Sequence, residues 1–122
     1  MALTTSPRDQ RFNDILILET ALGNTAVSDL AGKPASVYSI DINNPSGAAC
    51  FVKFYDTTKA SASDIPIIII MVINPERRVI TIPDGIPFAN GVTMRCVTTG
   101  GGGGTTSPSG GSGTVAVSLV MS

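Results

Sequence analysis

The chain offers little that could do covalent chemistry. It has nine Asp and Glu, eight Lys and Arg, two Cys and no His among 122 residues. Without histidine, Ser-His-Asp and Cys-His nucleophile systems are excluded, and the commonest metal ligand is missing. Two cysteines alone cannot complete a four-ligand zinc site; carboxylates or a second chain would have to supply the rest. Two carboxylates could meet as a glycosidase pair. The candidates Asp41, Asp56, Asp64 and Asp84 all lie beside turn residues or on outward strand faces, where Asp more often serves turn formation. Gly100–Gly104 suggests a phosphate loop, but no Gly-Lys-Ser/Thr follows it and no helix follows for a phosphate to cap. Residues 100–113 read instead as a flexible Gly/Ser/Thr loop on the surface. Catalytic, cofactor and metal sites are therefore all read as none.

The elements that would position any site are strands. The most apolar stretch runs from Ile65 to Ile73 and is closed by Asn74-Pro75. It is almost wholly β-branched, which favours a pleated sheet, and it is too short to span a bilayer. It shows no alternation, so both faces want cover: the domain's own core on one side, and a second layer, a folded-back arm or another subunit on the other. In Val37–Ile42, Tyr38, Ile40 and Ile42 share a face. Cys50, Val52 and Phe54 oppose Phe51, Lys53 and Tyr55 in the next strand, and the two segments read as a hairpin closed by Asn43–Gly47. Arg78–Ile82 follows, then a turn at Pro83-Asp84-Gly85. Val92–Thr99 turns Val92, Met94 and Cys96 inward, and Thr114–Met121 gathers Val115, Val117, Leu119 and Met121. Six strands are clear and a seventh is open near Ile15. Their spacing and Gly/Pro turns predict an all-β fold: an antiparallel β-sandwich, jelly-roll or Ig-like, of six to eight strands. Residues 1–34 are expected as an extended N-terminal arm and lead-in, and residues 35–122 as the sandwich. Cys50 and Cys96 both fall in strands. A cross-sheet disulfide and two buried free thiols are both open, and the burial preference of cysteine favours the thiols.

Bulk properties narrow the partners. The net charge is −1 with no basic block, which argues against nucleic acid. Only 14% of residues are charged, about half the usual share, while mean hydropathy is +0.31. That balance suits a surface largely covered by neighbours in an assembly. The first residues lack a charged start followed by an apolar core, so cytosolic synthesis is expected, and no membrane segment is read. With no Trp and 5% aromatics, a sugar-stacking platform has little material beyond Tyr38, Phe51 and Tyr55. A glycan-binding module acting through the 100–113 loop remains an alternative of another class.

Several segments carry a resemblance: Val52-Lys53-Phe54-Tyr55-Asp56, Pro66 before the apolar strand, Pro83-Asp84-Gly85-Ile86-Pro87-Phe88-Ala89-Asn90-Gly91, and Cys96-Val97-Thr98-Thr99-Gly100 leading to Gly104-Thr105-Thr106-Ser107-Pro108. In this order they resemble small virion proteins of tailed bacteriophages, especially those infecting cyanobacteria, over roughly Ala35 to Ser122. The extra glycines after Gly100 and the plain isoleucine run depart from that pattern, and the first 30 residues lie outside it. The resemblance implies a structural component of the particle, with no catalytic residue to carry over. A capsid decoration or cement protein is the expected role, with a neck or tail component as the alternative. The expected partners are the major capsid protein or other virion proteins, together with further copies of the chain as a homo-oligomer, a trimer by the local symmetry of shells. The contact candidates are Arg8, Arg11, Phe12, Ile15 and Ile17 in the arm, Ile68 and Ile70 in the isoleucine strand, and Arg77 and Arg78.

Overall fold

The computed structural model describes residues 3–9, 14–61, 63–109, 111 and 113–122, with backbone alone for 4–9 and 14. Among the described residues eight strands are formed: β1 (Leu3–Asp9), β2 (Asp14–Leu22), β3 (Ala35–Asn44), β4 (Cys50–Asp56), β5 (Ile68–Val72), β6 (Glu76–Phe88), β7 (Val92–Val97) and β8 (Val115–Met121). They make a five-stranded sheet in the order β1-β2-β8-β3-β6 and a three-stranded sheet in the order β5-β4-β7. Every pairing is antiparallel.

The segment after β2 extends the smaller sheet beyond β7. Val27 bridges Met94, the Gly23 carbonyl accepts from the Cys96 amide, and the Leu30 amide donates to the Val92 carbonyl. From β2 on, and counting that segment, the chain visits the sheets alternately, except that β4 and β5 are neighbours in the small one. The last strand, β8, inserts between β2 and β3. This is jelly-roll connectivity. In an Ig-like sandwich the last strand would lie beside its predecessor.

The alternating strands explain the core. Ile40 and Ile42 of β3, Val52 and Phe54 of β4, Met94 and Cys96 of β7 and Val117, Leu119 and Met121 of β8 interlock between the sheets, all buried. Burying a side chain such as Phe54 or Leu119 contributes roughly 1.5–3 kcal/mol each.

Four expectations change. The described residues of the 1–34 segment do not stand apart as an arm: β1 and β2 belong to the larger sheet, and Ile17, Leu22, Val27 and Leu30 join the core. The expected hairpin of the third and fourth strands is a crossing between sheets, because β3 pairs with β6 and β8 while β4 pairs with β5 and β7. Pro83-Asp84-Gly85 is no terminating turn; it bulges out of β6, which continues to Phe88, and the register jumps from Ser39↔Thr81 to Val37↔Ile86. β3 is irregular at the same place: Val37↔Met121 is followed by Ser39↔Val120, so Tyr38 is an extra residue against β8 and leaves the inward face. Val37 takes its place, buried, while Tyr38 stays half-buried.

Candidate interaction surface

Most of the carboxylates and cations that could build a site are engaged in internal hydrogen bonds. Asp41 accepts two bonds from Arg77, Nε at 2.9 Å and NH2 at 2.6 Å, on the outer face of the larger sheet. The guanidinium holds the Asp41 carboxyl below its usual range, chiefly through that hydrogen bond. Asp56 Oδ1 accepts from the Asn90 amide at 2.8 Å and the Gly91 amide at 3.4 Å. Asp64 accepts from the Ser61 amide. Three of the four candidate carboxylates thus act as a strand tie or as turn closures. No group of three His, Cys, Asp or Glu placed to hold a metal occurs among the described residues. None of their helices is long and apolar enough to cross a membrane.

Cys50 and Cys96 are free, buried thiols. They lie on the inward face of the neighbouring strands β4 and β7. The hydrogen bond between them, reinforced by burial, pushes the Cys96 thiol well above its ordinary range. A thiol so placed is a weak nucleophile.

The outer face of β4 and β7 is closed by the glycine-rich loop. Lys53 and Arg95 stand directly opposite each other across these strands, where like charges repel. Both point away from the core, yet both are buried. Lys53 Nζ donates to the Gly103 carbonyl. Arg95 donates to the Gly104 carbonyl at 2.9 Å, to the Asn24 carbonyl at 2.9 Å and to the Tyr55 hydroxyl at 3.2 Å. Burial first, and then the Arg95 charge, pushes the Lys53 pKa down. The loop is further tied by the Thr98 amide to the Thr106 carbonyl, and by Asn24 to the Thr105 carbonyl and the Ser107 hydroxyl. Glycine is needed here: a Cβ on Gly100 would meet the Phe51 ring at 3.2 Å, and Gly104 has φ +106°. The carbonyls of Gly103 and Gly104 therefore face inward onto the two cations.

The loop leaves β5 uncovered. Val52 pairs with Ile70 and Cys50 with Val72, which sends Ile70 and Val72 into the core. The opposite parity, Ile65, Ile67, Ile69, Met71 and Ile73, is 39–86% exposed. Ile69 and Met71 stand on β5, an edge strand that among the described strands pairs with β4 alone, and Ile65, Ile67 and Ile73 flank it, so that the five large apolar side chains make one exposed run. Leu16 and Leu18 on the outer face of β2 form a smaller exposed strip.

The sequence-predicted contact residues fare differently. Ile68 and Ile70 have the wrong parity: Ile70 is core and Ile68 packs half-buried against it. Ile17 is also core, and Ile15 packs against the core from β2. Arg77 is committed to Asp41, and Arg78 NH1 donates to the Met71 carbonyl at 2.8 Å. Arg77 and Arg78 lie within β6. Arg8 lies in β1 with only its backbone described, and Arg11 and Phe12 lie outside the described residues. The surface residues missed are Ile65, Ile67, Ile69, Met71 and Ile73. For Ile69 and Met71 the missing signal was the cross-strand register with β4.

No known protein family, no curated protein and no solved structure matches this chain significantly.

Proposed function

We propose that this chain is a structural component of a tailed-phage particle, a decoration or cement protein that binds the assembled shell and bridges its subunits. The observation that carries the reading is the bare ribbon of Ile65, Ile67, Ile69, Met71 and Ile73. An apolar patch of this size is among the largest a monomer exposes and is often functional, while the polar groups beside it are spent on internal ties. The jelly roll supports the same reading by analogy alone, since shell proteins and lectins both use it. Cementing works by mass action: a chain that binds only the assembled state stabilises that state. Its partners are the major capsid protein or other virion proteins, along with further copies of itself. The place of action is the virion, after synthesis in the host cytoplasm. The inward-facing carbonyls of Gly103 and Gly104 weigh against a glycan site on that loop.

The test is thermal release of DNA from particles. Particles assembled without this chain should release DNA at a lower temperature, and adding the purified chain should restore the original value. Saturated particles with an unchanged release temperature would refute cementing.

A further inference from the structure

We propose that the β5 ribbon is a homotypic interface, in which two copies of this chain pack ribbon against ribbon about a two-fold axis. The inference rests on the assembly reading and narrows it: the ribbon marks the chain as an assembly component, the contact made there is between two copies, and the shell is met through other faces of the pair.

Four observations point to a second copy. First, β5 is an edge strand whose own residues carry no edge protection. Sheet edges are normally blunted by charge, proline or bulges. The β1 edge carries Pro7, and the β6 edge carries Arg77, Arg78 and the Pro83–Gly85 bulge. Ile68–Val72 itself has none of these, and apart from the Met71 carbonyl, which Arg78 covers, this edge is left open. Second, Ile65–Ile73 contains no charge, and a highly charged partner finds nothing to grip.

Third, the area fits. Five side chains at these exposures present on the order of 500 Å² of apolar surface, enough for a functional patch. A stable interface buries about 800 Å² per partner with an apolar centre and a polar rim. The ribbon supplies the centre, and the polar residues around it supply the rim.

Fourth, the ribbon is self-complementary. A two-fold through Ile69 sets Ile65 against the second copy's Ile73, and Ile67 against its Met71. Every pair along the contact is then apolar. The ends carry opposite charge: Asp64 precedes the ribbon, and the Arg78 guanidinium is docked on the Met71 carbonyl toward the other end. Antiparallel packing brings each Arg78 toward the end that carries the second copy's Asp64. An isologous contact of this kind closes on itself and does not propagate into fibres.

The experiment is the mass of the full chain in solution by sedimentation equilibrium, over about 1–100 μM, a range that spans micromolar dissociation constants. The wild type is expected to be a dimer at the upper end. Ile69→Lys places two ammonium groups on the axis and is expected to weaken dimerisation at least tenfold. Val79→Lys, an exposed apolar position outside the ribbon, is expected to leave it unchanged. Should the Ile69 variant fail to fold, the wild type alone decides: its melting temperature rises with concentration if it dimerises and stays constant if it does not. A monomer throughout, a trimer, or an undiminished Ile69→Lys dimer overturns the two-fold interface. A monomer would leave the cement reading intact, because that reading is scored on particles. A dimer that never joins particles would keep the interface and remove the cement reading.

Discussion

Replacing Arg95 with Met should be among the most damaging single polar changes in this chain. Its guanidinium is buried and donates to three acceptors on three separate segments: Asn24 in the lead-in, Tyr55 on β4 and Gly104 in the glycine loop. A hydrogen bond from a charged donor contributes roughly 1.5–3 kcal/mol, and an acceptor left buried and unpaired costs roughly 1–3 kcal/mol. Three of them set an upper range of roughly 5–9 kcal/mol. Two effects oppose this. The variant is spared the desolvation of a buried cation, and its like-charge opposition to Lys53, roughly 0.2–1 kcal/mol, disappears. Part of the loop also relaxes into water. A net loss of about 3 kcal/mol is expected, a drop of about 10 °C in melting temperature for a domain of this size. Urea unfolding at a fixed low chain concentration measures it. Tyr55→Phe removes one acceptor only and should cost about 1 kcal/mol. In the double variant the Tyr55 cost should vanish, because its donor is already gone. Amide exchange adds a local readout: the Thr98 amide, bonded to the Thr106 carbonyl, should lose protection in Arg95→Met. A variant within 1 kcal/mol of wild type, with Thr98 still protected, would refute the clamp.

Other consequences follow from the same geometry. Lys53 has a folded-state pKa below its unfolded value of 10.5, so between those two values the unfolded chain holds a proton that the folded chain has released. Stability therefore rises with pH across that window; Lys53→Met should flatten the rise relative to wild type, and identical alkaline profiles would count against a buried ammonium. Gly85→Ala should destabilise by about 2 kcal/mol in thermal unfolding, because φ is +76° and a Cβ there lies 2.8 Å from the Tyr38 ring. Cys50 and Cys96 should react with a thiol reagent only as fast as the chain opens, so their labelling should accelerate in denaturant in step with unfolding; rapid labelling of the native chain would contradict their burial.

The strands that alternate were legible before the structure. β4, β7 and β8 present the predicted inward residues, since a period of two fixes which side chains share a face. The isoleucine run could not be read this way. When every position is apolar, composition says that both faces want cover but not which parity faces the core. Pairing with β4 settles it, and makes Ile70 core and Ile69 surface. The β3–β4 link shows a second limit. Asn43–Gly47 is a strong turn signal, but a turn that closes a hairpin and one that crosses between sheets share the same residues. The buried Asn44 side chain donates to the Ala48 and Val72 carbonyls and binds the crossing to the end of β5, a long-range contact that no local pattern encodes. The Lys53–Arg95 clamp was hidden for a similar reason. Outward parity predicted exposure, and only the folded-back glycine loop makes those positions interior. Gly100–Gly104 looked like a tether free in solvent, whereas at Gly103 and Gly104 it is a lid.

The measurement that bears most directly on the central claim is the copy number of this chain in purified virions, by quantitative mass spectrometry against the major shell protein. A ratio near a simple fraction of the shell subunits is expected of a cement protein. A handful of copies per particle would move the chain to the neck or tail, and its absence from particles would contradict a structural role in the virion altogether.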